Sequence, residues 1–285
     1  MPSSDADGGP ARLSEDAPQA GGAAGAPRTP GAPPRLEVRE VVVRFGGIAA
    51  IGGASLTLAA GEVLGLIGPN GAGKTTMFDV ISGIRPPQQG RVLMDGVDVT
   101  AWSPIRRARA GMSRTFQVVQ MFGWLSVLDN VAAALDWQGG GGGFLADLVA
   151  SPTRARRQRE RRERAMDALE GCGLGAVADQ PAGSLPIGLA RMVELARATV
   201  GNPRVLLLDE PTSGLDALEA GRLAERIAAI SAEEDCGVLL VEHDMDFLMR
   251  QCGRVAVLDL GEILAEGTPD EVRADPAVRA AYLGG

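Results

Sequence analysis

The sequence feature that most constrains the fold is a glycine-rich segment between a short apolar run and a helical pattern. It reads Gly-Pro-Asn-Gly-Ala-Gly-Lys-Thr-Thr and matches G-x-x-x-x-G-K-[ST] in the strand, loop and helix context that this pattern requires. In such a loop, backbone N–H groups bind phosphate at the helix N-terminus, the lysine reaches the β- and γ-phosphates, and the first threonine is a ligand for Mg²⁺. We predict phosphate binding by Gly68, Pro69, Asn70, Gly71, Ala72, Gly73, Lys74, Thr75 and Thr76, with Thr75 also a metal ligand.

Lys74 is the only lysine in the chain, although the chain has 28 basic residues. The composition indicates a bias toward arginine wherever a planar guanidinium is tolerated, so a surviving lysine indicates a position that needs a compact ammonium. Chance survival of one lysine is the alternative. The single lysine occupies the one position of the phosphate-binding pattern that requires it.

Composition and charge limit the class of protein. The 285 residues are 45% hydrophobic and 22% charged, which is typical of a soluble globular chain with one large domain or two small ones. No apolar run is long enough to span a bilayer, and no N-terminal secretory signal is seen, so we expect a cytoplasmic chain. The net charge of -8 disfavours nucleic acid as a partner. Three cysteines without a C-x-x-C pair indicate reduced, structural thiols.

The pattern along the chain predicts a tail, a mixed sheet and the start of a helix. Residues 1–34 are rich in Ala, Gly and Pro, and we expect them to be disordered. Strand patterns begin at Leu36, and the helix that starts near Lys74 must end before Arg85, because two prolines follow it. Asp95-Gly96 is typical of a hairpin turn.

The second half of the chain predicts a helical layer followed by parallel strands. Helical periodicity dominates between residues 117 and 185, with a five-glycine link at 139–143 and an arginine-rich stretch at 154–164. Arginine and glutamate alternate there at i,i+4, which indicates a solvated helix rather than a nucleic-acid or lipid surface. Continuous apolar runs, typical of buried parallel strands, then occur at 204–210, 237–243 and 254–260.

The run at 205–210 ends in two carboxylates, Asp209 and Glu210. A strand ending in two acids is usually a solvated strand end, but beside a phosphate loop it is typical of an ATPase site. There the first acid holds Mg²⁺, and the second orients or deprotonates water. We therefore predict Asp209 as a metal ligand and Glu210 as a catalytic residue.

These residues, in this order, resemble the ATP-binding cassette (ABC) family over about residues 35–285. Gln117, in Arg-Thr-Phe-Gln, resembles the glutamine that contacts Mg²⁺ and water and senses the membrane partner. Residues 213–216 resemble the loop that follows the two acids, and His243 resembles the histidine that contacts the γ-phosphate. Phe45 resembles the aromatic residue that stacks on adenine, although a strand phenylalanine is core at least as often.

The family's signature segment, usually L-S-G-G-Q, is where this chain departs from the pattern. It reads Leu-Pro-Ile-Gly-Leu at 185–189, which keeps Gly188 and replaces the serine with Pro186. The resemblance implies that this segment faces the γ-phosphate bound by the opposite subunit of a head-to-tail dimer. Proline supplies neither a hydroxyl nor an N–H, so we expect the composite ATP site that uses this segment to be weakened.

Within the family, the chain most resembles the ATP-binding subunits of importers for branched-chain (hydrophobic) amino acids. The shared features are the tetrapeptides at 44–47, 114–117, 242–245 and 281–284 and the helical insertion near 139–165. Importers of urea or amides share nearly all of them, and the ATPase of lipopolysaccharide export shares a similar C-terminal tail. The identity of the solute is predicted from resemblance alone, because no residue of this chain is expected to contact it.

The resemblance implies one α/β ABC ATPase cassette of the P-loop NTPase class, with an antiparallel β part and a helical subdomain at about 118–190. It also implies ATP and Mg²⁺ as cofactors, catalysis by Glu210, His243, Gln117 and Lys74, and metal binding by Thr75, Gln117 and Asp209. Phe45 and Gly188 complete the expected nucleotide contacts.

The expected partners are membrane permease subunits, a second ATPase subunit and, indirectly, a solute-binding protein, with this chain at the cytoplasmic face of the membrane. An ABC ATPase for another solute is the alternative. A soluble ABC ATPase acting on ribosomes or DNA is less consistent with the single cassette and the acidic charge. A phosphate-loop kinase or GTPase is disfavoured by residues 213–216 and His243.

Overall fold

Two β-sheets form the framework of the protein. The computed structural model describes residues 33–115, 120–135 and 152–283. The strands are β1 Leu36–Phe45, β2 Ile48–Leu58, β3 Val63–Ile67, β4 Gln89–Met94, β5 Val97–Asp98, β6 Met112–Arg114, β7 Val205–Asp209, β8 Gly237–Val241, β9 Arg254–Asp259 and β10 Glu262–Gly267. The helices are α1 Lys74–Ser82, α2 Pro104–Arg109, α3 Val127–Ala133, α4 Pro152–Gly171, α5 Ile187–Thr199, α6 Ala217–Glu233, α7 Met245–Gln251, α8 Pro269–Ala274 and α9 Pro276–Leu283.

The larger sheet has the strand order β10-β9-β3-β8-β7-β6, and the smaller has the order β2-β1-β4-β5. Strands β9, β3, β8, β7 and β6 run parallel, β10 is antiparallel to β9, and all pairs of the smaller sheet are antiparallel. Because β8 lies between β3 and β7, the carboxyl ends of these three strands meet at one edge. Ligands of open α/β sheets bind at such an edge.

Side chains of the central strands alternate between two hydrophobic cores. In β7, Leu206 and Leu208 pack with the core that includes helices α3 to α7, whereas Val205 and Leu207 pack with the core between the two sheets and α1. All five residues of β3 and of β8 are buried. Burial on both faces explains why these strands have continuous apolar sequences rather than alternating ones.

Most predicted elements are present. Helix α1 ends at Ser82 with Gly83 in the left-handed region, before the paired prolines. The β4–β5 hairpin turns at Asp95 and Gly96, which have φ angles of 46° and 79°. The i,i+4 pairs Arg156–Glu160 and Arg159–Glu163 lie on an exposed face of α4, as the solvated-helix interpretation predicts.

Three strands differ from the sequence prediction, and two predicted segments lie outside the described residues. Strand β2 begins at Ile48, whereas the sequence pattern predicts a second strand only from Ala54, and no pattern predicts the short edge strands β6 and β10. In the described ranges, helices, turns and one isolated β-bridge between Ser126 and Pro181 occur between β6 and β7, where the helical subdomain is predicted. The tail, apart from residues 33 and 34, and the five-glycine segment lie outside the described residues.

Within those ranges, none of the helices combines the length and the apolar character needed to cross a bilayer. The three cysteines are buried free thiols. Burial raises the pKa of Cys236 to about 12, so its thiol stays protonated and inert at neutral pH.

Candidate nucleotide-binding site

The phosphate loop connects β3 to α1 at the carboxyl edge of the larger sheet. Its first glycine, Gly68, has a φ of 155°, and a Cβ there would lie 2.0 Å from the carbonyl oxygen of Leu258 in β9. Gly73 precedes α1 in the left-handed region, with a φ of 108°. The path of the loop therefore requires glycine at these positions.

The Gly68→Ala variant should therefore be strongly destabilised. Because the added methyl group would meet a backbone carbonyl, β9 or the loop must shift, and we expect the free energy of unfolding to fall by about 2–4 kcal/mol. Gly221→Ala in α6, where a Cβ meets nothing within 4 Å, is the control and should be neutral or stabilising by about 0.5–1 kcal/mol. Urea denaturation of the two variants measures the difference, and equal midpoints would contradict this account.

Lys74 is held inside the phosphate loop. Its Nζ donates hydrogen bonds to the carbonyl oxygens of Gly68 and Pro69, at 2.6 and 3.0 Å. Burial lowers the pKa of Lys74, and the charges of Glu210 and Asp209 oppose that shift. The ammonium thus lies within the electrostatic reach of both predicted catalytic-site acids.

The two acids lie at the end of β7. Glu210 has a φ of 49°, a backbone conformation uncommon for a residue other than glycine and typical of functional sites. Its N–H donates to the carbonyl oxygen of Val241 in β8. This bond fixes the turn that directs the Glu210 side chain.

His243 contacts Glu210 directly. It follows β8, and its Nε2 donates to Oε1 of Glu210 at 2.5 Å. The imidazole is 57% exposed, whereas the carboxylate is 15% exposed. One end of the pair is therefore open to an incoming ligand while the carboxylate is shielded.

Arg114, at the end of β6, bridges two carboxylates. Its Nη1 lies 2.7 Å from Oδ1 of Asp79, and its Nη2 lies 3.5 Å from Oδ2 of Asp209. Burial raises the pKa of Asp209, and Arg114 opposes that shift. The sequence prediction did not assign Arg114 this contact, because 95 residues separate it from Asp209.

Glu242 is a second residue whose role in the site the sequence analysis did not predict. It is 4% exposed, and its Oε1 accepts hydrogen bonds from the backbone N–H and the hydroxyl of Thr212, each at 2.7 Å. Its Oε2 accepts from the N–H of His243 at 3.2 Å. The buried carboxylate thus ties the segment carrying His243 to the segment that follows Glu210.

The signature segment begins α5. Pro186 is the N-cap residue, provides no side-chain cap, and accepts the N–H of Ala190 with its carbonyl oxygen. Gly188 lies against α6, where a Cβ would come within 2.0 Å of Oε1 of Glu219. Glu219 forms a capping box with Asp216, so the segment packs on the helix start that follows residues 213–216.

Of the remaining predicted site residues, one is exposed at the end of a strand and one lies outside the described ranges. Phe45 ends β1 with 46% of its surface exposed, so it is not a core residue. Gln117 lies outside the described residues. The sequence analysis did not predict Tyr282, in α9, as a site residue, but it contacts the phosphate loop. Burial raises the pKa of Tyr282, and a hydrogen bond with the backbone of Gly68 opposes that shift.

The oxygen ligands present fit Mg²⁺. Asp209, at the end of β7, supplies a carboxylate that is 13% exposed, and Thr75, the second residue of α1, supplies a hydroxyl. Hard oxygen donors of this kind suit the ion. The described residues contain no cluster of three or more His, Cys, Asp or Glu side chains able to hold a metal. A site with one protein carboxylate suits Mg²⁺, which usually takes its other ligands from water and substrate phosphates.

Comparisons with known proteins agree with this architecture. Residues 51–213 match the family described as ABC transporter. The chain belongs to the ABC transporter family and is an ATPase of its cassette type. Residues 262–285, which include β10, α8 and α9, match the family described as branched-chain amino acid ATP-binding cassette transporter.

Two curated relatives align over most of the chain. The high-affinity branched-chain amino acid transport ATP-binding protein BraF of Pseudomonas aeruginosa is 39% identical over 251 residues, covering 88% of this chain and 98% of BraF. The lipopolysaccharide export system ATP-binding protein LptB of Acidithiobacillus ferridurans is 37% identical over 230 residues, covering 81% of this chain and 88% of LptB.

Two solved structures share the fold. The ADP conformation of MJ1267, an ATP-binding cassette of an ABC transporter, has a TM-score of 0.76 at 29% identity, covering 88% of this chain and 99% of that chain. A dimeric post-hydrolysis structure of the cassette MJ0796, bound to ADP and Pi, has a TM-score of 0.68 at 25% identity, covering 82% and 98%. ABC cassettes bind nucleotide, dimerise and work with membrane permease components.

Proposed function

We propose that this chain is the ATP-hydrolysing subunit of an importer for branched-chain or other hydrophobic amino acids. The observation that carries the ATPase part is the Glu210–His243 pair at 2.5 Å, at the sheet edge that also holds Lys74. The C-terminal match at 262–285 supports the choice of solute. We place the subunit at the cytoplasmic face of the membrane, with permease subunits, a second cassette and a solute-binding protein.

In this proposal Glu210 is the general base. Its carboxylate accepts the proton of the water that attacks the γ-phosphate, and His243 holds that carboxylate in place through Nε2. Lys74 neutralises charge that develops on the phosphate oxygens. Gln117 aligns the same water.

Thr75, Asp209 and Gln117 would hold Mg²⁺, and Phe45 would stack on adenine. When bound, the ion would supply positive charge that neutralises the phosphate oxygens. Arg114 holds the Asp209 carboxylate in place, through its contact at 3.5 Å.

The second cassette completes each ATP site. Gly188 and the N-terminus of α5 would face the nucleotide bound by the partner, and the partner's signature segment would face the nucleotide bound by Lys74. Two different cassettes in one importer would accommodate the departure at Pro186.

Pro186→Ser should raise ATP turnover of the assembled complex. A hydroxyl at this N-cap can cap α5 and donate to the γ-phosphate. We expect turnover to rise about 3- to 10-fold, which corresponds to the roughly 1 kcal/mol that one hydrogen bond or one helix cap contributes. Pro104→Ser, at the exposed start of α2, changes the same residue type away from the site and serves as the control. Unchanged turnover in Pro186→Ser would show that the signature segment is not weakened.

Affinity purification from the native membrane tests the partners. The proposal predicts recovery of two polytopic permeases and a second cassette, and stimulation of ATPase activity by a binding protein loaded with leucine, isoleucine or valine. If only a urea, amide or lipopolysaccharide substrate stimulated the activity, the ATPase assignment would stand, but the assignment of an amino acid as the solute would be wrong. Recovery of ribosomes would favour the soluble alternative.

A further inference from the structure

One face of the Phe45 ring is covered by a cation. The guanidinium carbon of Arg85 lies 4.4 Å from the ring centroid, a distance at which a cation is attracted to the π face. Phe45 is nevertheless 46% exposed. Part of its surface is therefore open to a ligand, although Arg85 lies over one face of the ring.

The position of Arg85 is not explained by an ion pair. Within residues 33–115, 120–135 and 152–283, no carboxylate pairs with its guanidinium, and its buried Nε has no hydrogen-bond acceptor. The contact with Phe45 is the interaction that accounts for the position of this cation.

Arg85 also belongs to a segment, residues 85–88, that is hydrogen-bonded to both α1 and β1. Its N–H donates to the carbonyl oxygen of Asp79 in α1, at 3.0 Å, and α1 begins at Lys74. Gln88 forms two hydrogen bonds with the backbone of Arg44, 3.1 Å to its N–H and 3.2 Å to its carbonyl oxygen. The segment 85–88 thus connects the helix of the phosphate loop to the end of β1, where Phe45 lies.

We propose that Arg85 is a positioning residue for the nucleotide base: it fixes the Phe45 ring from behind, so that the opposite face of the ring stacks on adenine. This rests on the proposed function, which assigns ATP to the site and the base to Phe45. The guanidinium draws π density from the ring and holds it in one orientation. Binding energy from the base then depends on Arg85, whereas binding energy from the phosphates does not.

The test compares ATP with inorganic tripolyphosphate, which has no base, by isothermal titration calorimetry of the full chain in Mg²⁺. Arg85→Ala should raise the Kd for ATP about three- to tenfold and leave the Kd for tripolyphosphate unchanged. Phe45→Leu should raise the Kd for ATP by about tenfold or more. Arg85→Lys, which retains a cation, should remain within about twofold of the wild type.

The double variant Arg85→Ala/Phe45→Leu should bind ATP no more weakly than Phe45→Leu alone, because Arg85 acts through the ring. An unchanged or lower Kd for ATP in Arg85→Ala would overturn the proposal, the lower value showing that Arg85 occupies the face that adenine needs. An equal loss of ATP and tripolyphosphate would also overturn it. A wild-type chain that binds neither compound would instead refute the proposed function, and this proposal with it.

Discussion

Glu210→Gln is expected to lower the rate of ATP hydrolysis about 10²–10³-fold, while the Kd for ATP changes little. An amide cannot accept the proton of the attacking water, but its oxygen can still accept the hydrogen bond from Nε2 of His243, so the 2.5 Å contact keeps its geometry. The loss should therefore fall on kcat rather than on KM. Steady-state phosphate release by the assembled complex measures the rate, and calorimetry measures the affinity.

Glu225→Gln is the matched control for this variant. Glu225 is exposed on α6, and the same substitution there should leave both parameters within about twofold of the wild type. If Glu210→Gln retained more than about a tenth of the wild-type rate, Glu210 would not be the general base.

Replacing Lys74 should have the second large effect, this time on nucleotide binding as well as on rate. Lys74→Ala removes the one ammonium of the phosphate loop, and we expect the Kd for Mg·ATP to rise about 10- to 100-fold and turnover to fall at least as much. Lys74→Arg should show a similar loss of affinity for Mg·ATP and of turnover, although it keeps the positive charge. The two carbonyl contacts at 2.6 and 3.0 Å leave room for a compact ammonium but not for a planar guanidinium.

Arg156→Ala removes one positive charge from the exposed face of α4 and provides the control for net charge. Its Kd and turnover should match those of the wild type. Normal ATP binding by Lys74→Arg would contradict the steric part of the account, and normal binding by Lys74→Ala would contradict the phosphate-loop assignment itself.

Local patterns predicted the parts of the fold that local physical chemistry determines. The phosphate loop, α1 and the Asp95-Gly96 turn each depend on backbone conformations that the residues themselves favour. The apolar runs of β7, β8 and β9 reflect burial on both faces of the sheet. These elements could be located from the sequence because each signal lies within about ten residues.

The short edge strands and the supporting contacts could not be found in this way. Strand β6 has three residues, and β10 is exposed at alternate positions, so neither has a strong apolar pattern. Glu242 and Thr212 are 30 residues apart, and Arg114 is 35 residues from Asp79. Such contacts depend on the register of neighbouring strands, which sequence spacing alone does not fix.

ATP-driven solute uptake is the most direct test of the central claim. The measurement is uptake of radiolabelled leucine by proteoliposomes that contain the assembled complex, with ATP enclosed inside and the loaded solute-binding protein outside. The account predicts uptake that requires internal ATP and is lost in Glu210→Gln. Absence of leucine, isoleucine and valine uptake from a complex that hydrolyses ATP, or equal uptake by Glu210→Gln, would contradict it.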